Sequence, residues 1–259
     1  MNRLFRRIRQ KLLSENKFSK YVLYAIGEIV LVVIGILIAL YISNLNERKK
    51  STAQLRSQLV AIQNDINSDL ALFERRKEVL KSATASGDRL WVVIYNSKPV
   101  EDSVQLKIDF IEAGNFPEYH IITTAYDDLI STGYSSLIKN KALKVSLANY
   151  YSQEAIKGLN IEQRIRYTND YFDARYKHMN PYMLTNHLKG RFKIDTLNIK
   201  SLDSFALDWN AIKKDETYRI ALSKVISQRI GDEHVLYRIT QHGKALHQEI
   251  ENYLSSLEQ

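Results

Sequence analysis

The chain has 259 residues, 45% hydrophobic and 25% charged, with a formal net charge of +8 and no cysteine. Nine glycines and three prolines are too few for the many tight turns of an all-β sandwich. The positive surplus sits at one end: residues 1–50 carry ten Lys and Arg against three Glu, and residues 51–259 carry 27 basic against 26 acidic side chains, so most of the chain offers no basic stripe for nucleic-acid phosphates.

In residues 1–20, Leu4, Phe5, Ile8, Leu12 and Leu13 recur at helical spacing among Arg3, Arg6, Arg7, Arg9 and Lys11. This pattern predicts a basic amphipathic tail that lies in a membrane interface, its five cations on anionic lipid headgroups.

Residues 21–43 form one apolar run of 23 residues whose single charge is Glu28. At about 1.5 Å per residue a helix of this length crosses the roughly 30 Å hydrocarbon core of a bilayer. The run is longer than a secretory signal core and ends without a small-x-small cleavage site, so a retained single span is expected. Lys17, Lys20 and the five cations already named outnumber Arg48, Lys49, Lys50 and Arg56 on the far flank, which predicts a cytoplasmic N-terminus. Tyr21, Tyr24 and Tyr41 suit the two headgroup layers. Gly35, Ala39 and Ser43 repeat every four residues, a small-residue ridge that lets helix backbones approach. Gly27 extends the ridge across an interruption at Leu31, and Glu28 falls close to the face of Gly35. Three readings stay open for this stripe: helix–helix association, a lipid-facing monomer with a snorkelling Glu28, and a proton or ion path.

Residues 44–259 are expected to form an extracytoplasmic α-helical domain. Leu55, Leu59, Ile62, Ile66, Leu70 and Phe73 are spaced close to a heptad. The membrane helix should therefore continue as a stalk to around residue 82, about 55–60 Å long, its stripe packed on the domain core or, as the alternative, forming a coiled-coil seam. A second helix ends at Leu90–Tyr95, before Pro99. Further helices are expected at Val104–Ala113, after a cap at Thr123 or Thr124 with Asp127 three residues after Thr124 as in a capping box, from Lys141 to His178, and at 204–230 and 232–257. In the long one, Ile161, Ile165, Phe172 and Tyr176 share a face; Pro181 closes it. Residues 185–203 look least helical, with Phe192, Ile194, Leu197 and Ile199 hinting at short strands. The fold class that follows is all-α: a transmembrane helix running into an elongated bundle of long antiparallel helices.

Catalytic patterns are absent. The six histidines fall in no H-E-x-x-H arrangement, and no nucleophile elbow, P-loop or dinucleotide fingerprint occurs. With no cysteine, a zinc site would need His and carboxylates gathered by the fold. Asp127–Asp128 and Asp232–Glu233 read as acids complementing helix starts. No cofactor, metal or enzymatic activity is expected.

The block ENKFSKYVLYAIGEIVLVVIGILIALYISNLNE at 15–47 resembles the N-terminal signature of an uncharacterised family of single-span membrane proteins of Bacteroidota. TAYDDLISTGYSSLIKNKALKVSLANYY at 124–151 is similar to that family's central helical hairpin. Leu45 departs from the pattern, where a Trp is expected. The resemblance implies a bacterial inner membrane and a helical periplasmic domain, and it supplies no reaction. The expected function is a membrane-anchored interaction or scaffold protein, a homo-oligomer or one part of a membrane complex. The alternatives are an ion-driven stator-like subunit using Glu28, and a ligand-sensing periplasmic domain that acts through a partner.

Overall fold

The computed structural model describes residues 18–96, 100–101, 103–116, 120–152, 161–192 and 205–257. Arg3, Arg6, Arg7, Arg9 and Lys11 of the tail lie outside this range, as do Ile194, Leu197 and Ile199. The described residues are all α-helical with no strand: α1 (Phe18–Tyr95), α2 (Val104–Glu112), α3 (Thr124–Ser131), a 3₁₀ turn (Tyr134–Leu137), α4 (Lys141–Tyr151), α5 (Ile161–Tyr176), α6 (Pro181–Phe192), α7 (Trp209–Lys214) and α8 (Glu216–Ser256). The chain divides into two compact units, Met1–Ser57 and Gln58–Gln259.

In the first unit α1 carries the apolar run with its side chains turned outward. The helix is long and apolar enough to cross a membrane, and none of its most apolar window is buried.

The second unit explains the heptad stripe. Along the domain part of α1 the seam of buried positions is Leu59, Ile62, Ile66, Asp69, Phe73, Leu80, Ala83, Ser86, Leu90 and Ile94, spaced three, four or seven residues apart, which keeps one face inward. The seam passes through Asp69, which is fully buried, whereas Leu70, named from the sequence, is half-buried. The helix also runs through Gly87 without a break, so the separate helix expected at Leu90–Tyr95 does not exist. Glycine is tolerated there because Ile226 and Arg229 pack against it: a Cβ would sit 3.1 Å from Ile226 Cγ1.

That neighbour belongs to α8, which is one helix of 41 residues and not the two expected; Gly231 lies inside it. Its partners on α1 descend as α1 ascends. Gln63 Nε2 donates to the His247 carbonyl (3.3 Å), Gly243 rests against Leu70, and the Tyr95 hydroxyl meets Ser223 Oγ (3.2 Å). The two long helices are therefore antiparallel. Val225, Leu236, Ile239, Leu246, Ile250 and Tyr253 of α8 are buried, while Ile220 and Ile230 are exposed.

Short helices fill the rest. Ser103, Asn140, Asp208 and Asp215 each cap a helix N-terminus with a side-chain oxygen, the capping chemistry those residue types favour. Asp215 also closes α7, its amide bonding the Ala211 and Ile212 carbonyls. Pro181 opens α6 instead of ending a helix; its missing N–H is no loss in a first turn. Phe192 is helical, against the strand expected there. The long helix expected from Lys141 to His178 is described as α4 and α5, with 153–160 outside the described residues. The buried side of α5 is Arg164, Thr168, Tyr171, Ala174 and Arg175; of the apolar stripe read from the sequence, Phe172 is half-buried against the core, while Ile165 and Tyr176 face solvent.

Candidate functional site

Three features of the fold bear on function: the face of the apolar helix segment, a groove on the second unit, and the polar clusters inside it. On the helix, Gly27, Gly35, Ala39 and Ser43 are exposed and Glu28 is half-buried. At about 100° per residue, Glu28, Gly35 and Ala39 fall within an arc of roughly 40°, Ser43 stands some 80° from Gly35 on one side and Gly27 as far on the other. Nothing lies within 4 Å of a Cβ built at Gly27 or Gly35. The ridge is open to a neighbouring helix along its outer half, and Gly27 sits at its margin.

The groove, about 400 Å³, runs between α1 and α8. Its walls include the buried rings and chains of Phe73, Leu80 and Leu236, and its rim carries Lys77, Lys81, Glu233 and Lys244. Lys77 and Lys81 pair along α1 with Glu74 (3.7 Å) and Glu78 (2.8 Å). These exposed pairs are worth little.

The buried polar groups form three clusters. In the first, Asp109 of α2 accepts two bonds from Arg89, Nη2 to Oδ1 (2.6 Å) and Nε to Oδ2 (2.7 Å), and one each from Ser86 Oγ and Gln105 Nε2 (both 3.0 Å). Asp109 thereby locks α2 onto α1. Asp109→Ala is expected to cost about 2 kcal/mol, less than a fully buried pair because Arg89 reaches water; a lowered urea midpoint at unchanged m-value is the check.

In the second cluster, the last turn of α2 is capped from outside. The Tyr171 hydroxyl donates to the Phe110 carbonyl (2.9 Å), Arg175 Nη1 to that of Ile111 (2.5 Å), and Arg229 Nη2 to that of Ala113. Orphan carbonyls at a helix C-terminus attract such cations. Burial pulls the Arg229 guanidinium down to about 10 and pushes the Tyr171 phenol up to about 12; both keep their ordinary charge at neutral pH. Arg164 pairs with Asp232 (2.8 Å), and both are almost fully buried. Asp232 thus lies inside α8 and serves this pair, correcting its reading as a residue at a helix start.

In the third cluster, α1 caps the start of α3. The Ala125 amide donates to Asp65 Oδ2 and the Ile122 amide to Asp69 Oδ1 (both 3.1 Å), and the Tyr150 hydroxyl donates to Asp69 Oδ2 (2.9 Å). The capping box expected from Thr124 does not form. Thr123 Oγ1 donates to Asp127 Oδ2 instead (2.8 Å), and the orphan amides are served from α1. Tyr126 stacks on Tyr151 at 4.2 Å between centroids.

Two histidines enter these arrangements as half-buried partners of carboxylates: His178 with Asp215 (2.8 Å) and His187 with Glu112 (3.0 Å). Among the described residues no three His, Cys, Asp or Glu side chains gather as a metal site. Each polar cluster ties helices together, and Arg164, Arg229 and Asp232 of the second also line a small pocket of about 10 Å³.

A model of a family of unknown function (DUF6090) matches residues 28–204. The chain belongs to that family. No curated protein and no solved structure matches it. The DUF6090 match begins at Glu28, includes the outer small-residue ridge, and ends before α7 and α8, so the helix that covers much of the domain core lies beyond the matched region.

Sequence reasoning found the long apolar helix but missed the buried polar clusters. One signal was readable: Asp69 stands on the heptad seam between Ile66 and Phe73, where an apolar residue belongs. Arg164, Arg175 and Arg229 gave none, because a charged residue inside a helix is ordinarily solvated.

Proposed function

We propose that this chain is a single-span protein of the inner membrane of a bacterium of the Bacteroidota group, with its N-terminus in the cytoplasm and its helical domain in the periplasm. There it acts as an interaction or scaffold component of a membrane complex. The observation that carries the reading is the bare apolar helix: from Ile29 to Ile42 every large hydrophobic side chain is exposed. Water would not tolerate that surface, and lipid would. The neutral charge balance of residues 51–259 and the Glu28–Gly35–Ala39 arc support a role made of contacts, with protein partners in the bilayer and anionic lipid at the basic tail. The reading assigns no reaction and no cofactor.

The protein is expected to stay with the membrane pellet after alkaline carbonate, and a reporter fused to its C-terminus is expected to be active only if it requires export. In mild detergent it should migrate with a second copy or a membrane partner. Gly35→Leu with Ala39→Leu, which fills the ridge, should release the monomer. Extraction by carbonate, a cytoplasmic C-terminus, or a bare monomer from the unaltered chain would overturn the proposal.

A further inference from the structure

We propose that the groove between α1 and α8 binds a small free carboxylate with an apolar body, its charge on Lys244 and its body over Phe73 and the ring of Tyr237. The site lies wholly within the second unit and does not depend on the membrane contacts proposed above.

The space is made by a missing side chain. The inward seam of α1 advances by three or four residues throughout the second unit except once, from Phe73 to Leu80. In the skipped turn the sequence places Arg76 and Lys77, and Lys77 is exposed. On α8, Thr240 also lines the gap. It is short, and its hydroxyl donates to the Leu236 carbonyl of its own helix (2.7 Å). What remains is an opening of about 400 Å³ with the buried Phe73, Leu80 and Leu236 at its base, inside the size range of small-molecule sites. A single chain or ring fits it; the paired acyl chains of a phospholipid do not. Tyr237 lies on the same wall with 65% of its surface exposed. An aromatic ring there covers an apolar body while its hydroxyl stays in water.

The charge pattern selects the sign of the ligand. The lining carries three lysines and two glutamates. Gly243 rests on Leu70, so Lys244 stands at the Phe73 end of the groove. Glu233 is eleven residues away on α8, about 16 Å along the axis, and level with Lys81. Glu74 pairs with Lys77 (3.7 Å). Lys244 is exposed and has no carboxylate partner among the described residues, so the uncompensated positive charge is there. A carboxylate seated on Lys244 neutralises it, and the apolar body running along the groove shields that pair from water. Shielding makes it stronger than the open pairs of the rim.

Fluorine NMR of the full chain in nanodiscs of zwitterionic lipid tests this, with para-fluorophenylbutanoate and its uncharged amide as probes. The carboxylate should bind saturably with a Kd below about 1 mM, and the amide about tenfold more weakly. Lys244→Glu should weaken the carboxylate by about tenfold or more and leave the amide unchanged. Lys139→Glu makes the same charge change away from the groove and should alter neither. Thr240→Trp, which fills the opening, should abolish both. Equal affinity for acid and amide, unsaturable binding, an unaltered affinity in Lys244→Glu, or an equal loss in Lys139→Glu would overturn the inference. So would binding that disappears as protein concentration rises, which gives the groove to a second copy. Tighter binding of a soluble short-chain phosphatidylglycerol would give it to lipid headgroups and overturn it as well.

Discussion

Gly114→Ala is expected to destabilise the helical domain by about 3 kcal/mol, at the upper end of what overpacking costs. Gly114 follows α2, and an added Cβ would lie 2.4 Å from Tyr171 Cδ1 and 2.8 Å from Phe172 Cε1. Neither ring can yield. Tyr171 is fully buried, its hydroxyl holds the Phe110 carbonyl, and it lies against Tyr218 and Phe172 at ring separations of 5.7 and 6.3 Å. Moving it would release one of the external caps of α2 together with the aromatic core that Phe110, Trp209 and Tyr218 complete. Gly231→Ala supplies the contrast. Gly231 is exposed within α8 and the nearest atom to an added Cβ is Gln228 Nε2 at 3.5 Å, so the usual helix preference for alanine should stabilise the domain by up to about 1 kcal/mol. Thermal melts of the two variants should therefore shift in opposite directions, and a Gly114→Ala protein melting with the unaltered chain would refute the packing described around Tyr171.

Ending the chain at residue 204 is expected to abolish cooperative folding of the domain altogether, even though it retains everything that the DUF6090 family model matches. The removed segment holds α7 and α8, and with them Trp209, Ile212, Tyr218, Leu222, Ile239 and Ile250, all buried. Fully burying one large apolar side chain contributes about 1.5–3 kcal/mol, so losing six removes about 9–18 kcal/mol, as much as the roughly 5–15 kcal/mol by which a typical domain is stable. The truncation also leaves Arg164 without Asp232 and the Ala113 carbonyl without Arg229. Circular dichroism should show helix from α1 but no sigmoidal melt. A truncated chain that still melts as one unit would mean that α8 is an accessory to the fold and not its second wall.

Both results depend on how far apart in sequence the decisive partners lie. The apolar run from Tyr21 to Ser43 was legible because its meaning is local: a helix long enough to cross a bilayer with one charge needs no knowledge of its neighbours. The α1 seam was legible for the same reason, since a period near 3.5 shows in the order of the residues. The helix boundaries that failed did so where a local rule was overridden. The helix breaks expected after residue 82 and at residue 231 do not form: packing between α1 and α8 accommodates Gly87, and Gly231 faces solvent; Pro181 read as a stop, yet it also starts helices.

What the sequence by itself determined was the all-helical class, the presence of a membrane-length segment and the seam that α1 turns inward, because helix periodicity and apolar length are properties of contiguous residues. Only the tertiary structure decided which charges are buried. Asp69 meets Tyr150 from 81 positions away, Arg229 reaches the Ala113 carbonyl across 116, and Arg164 finds Asp232 on another helix. A charged side chain enters a core only when a partner waits there to replace its water, and that partner is chosen by the folded path of the chain.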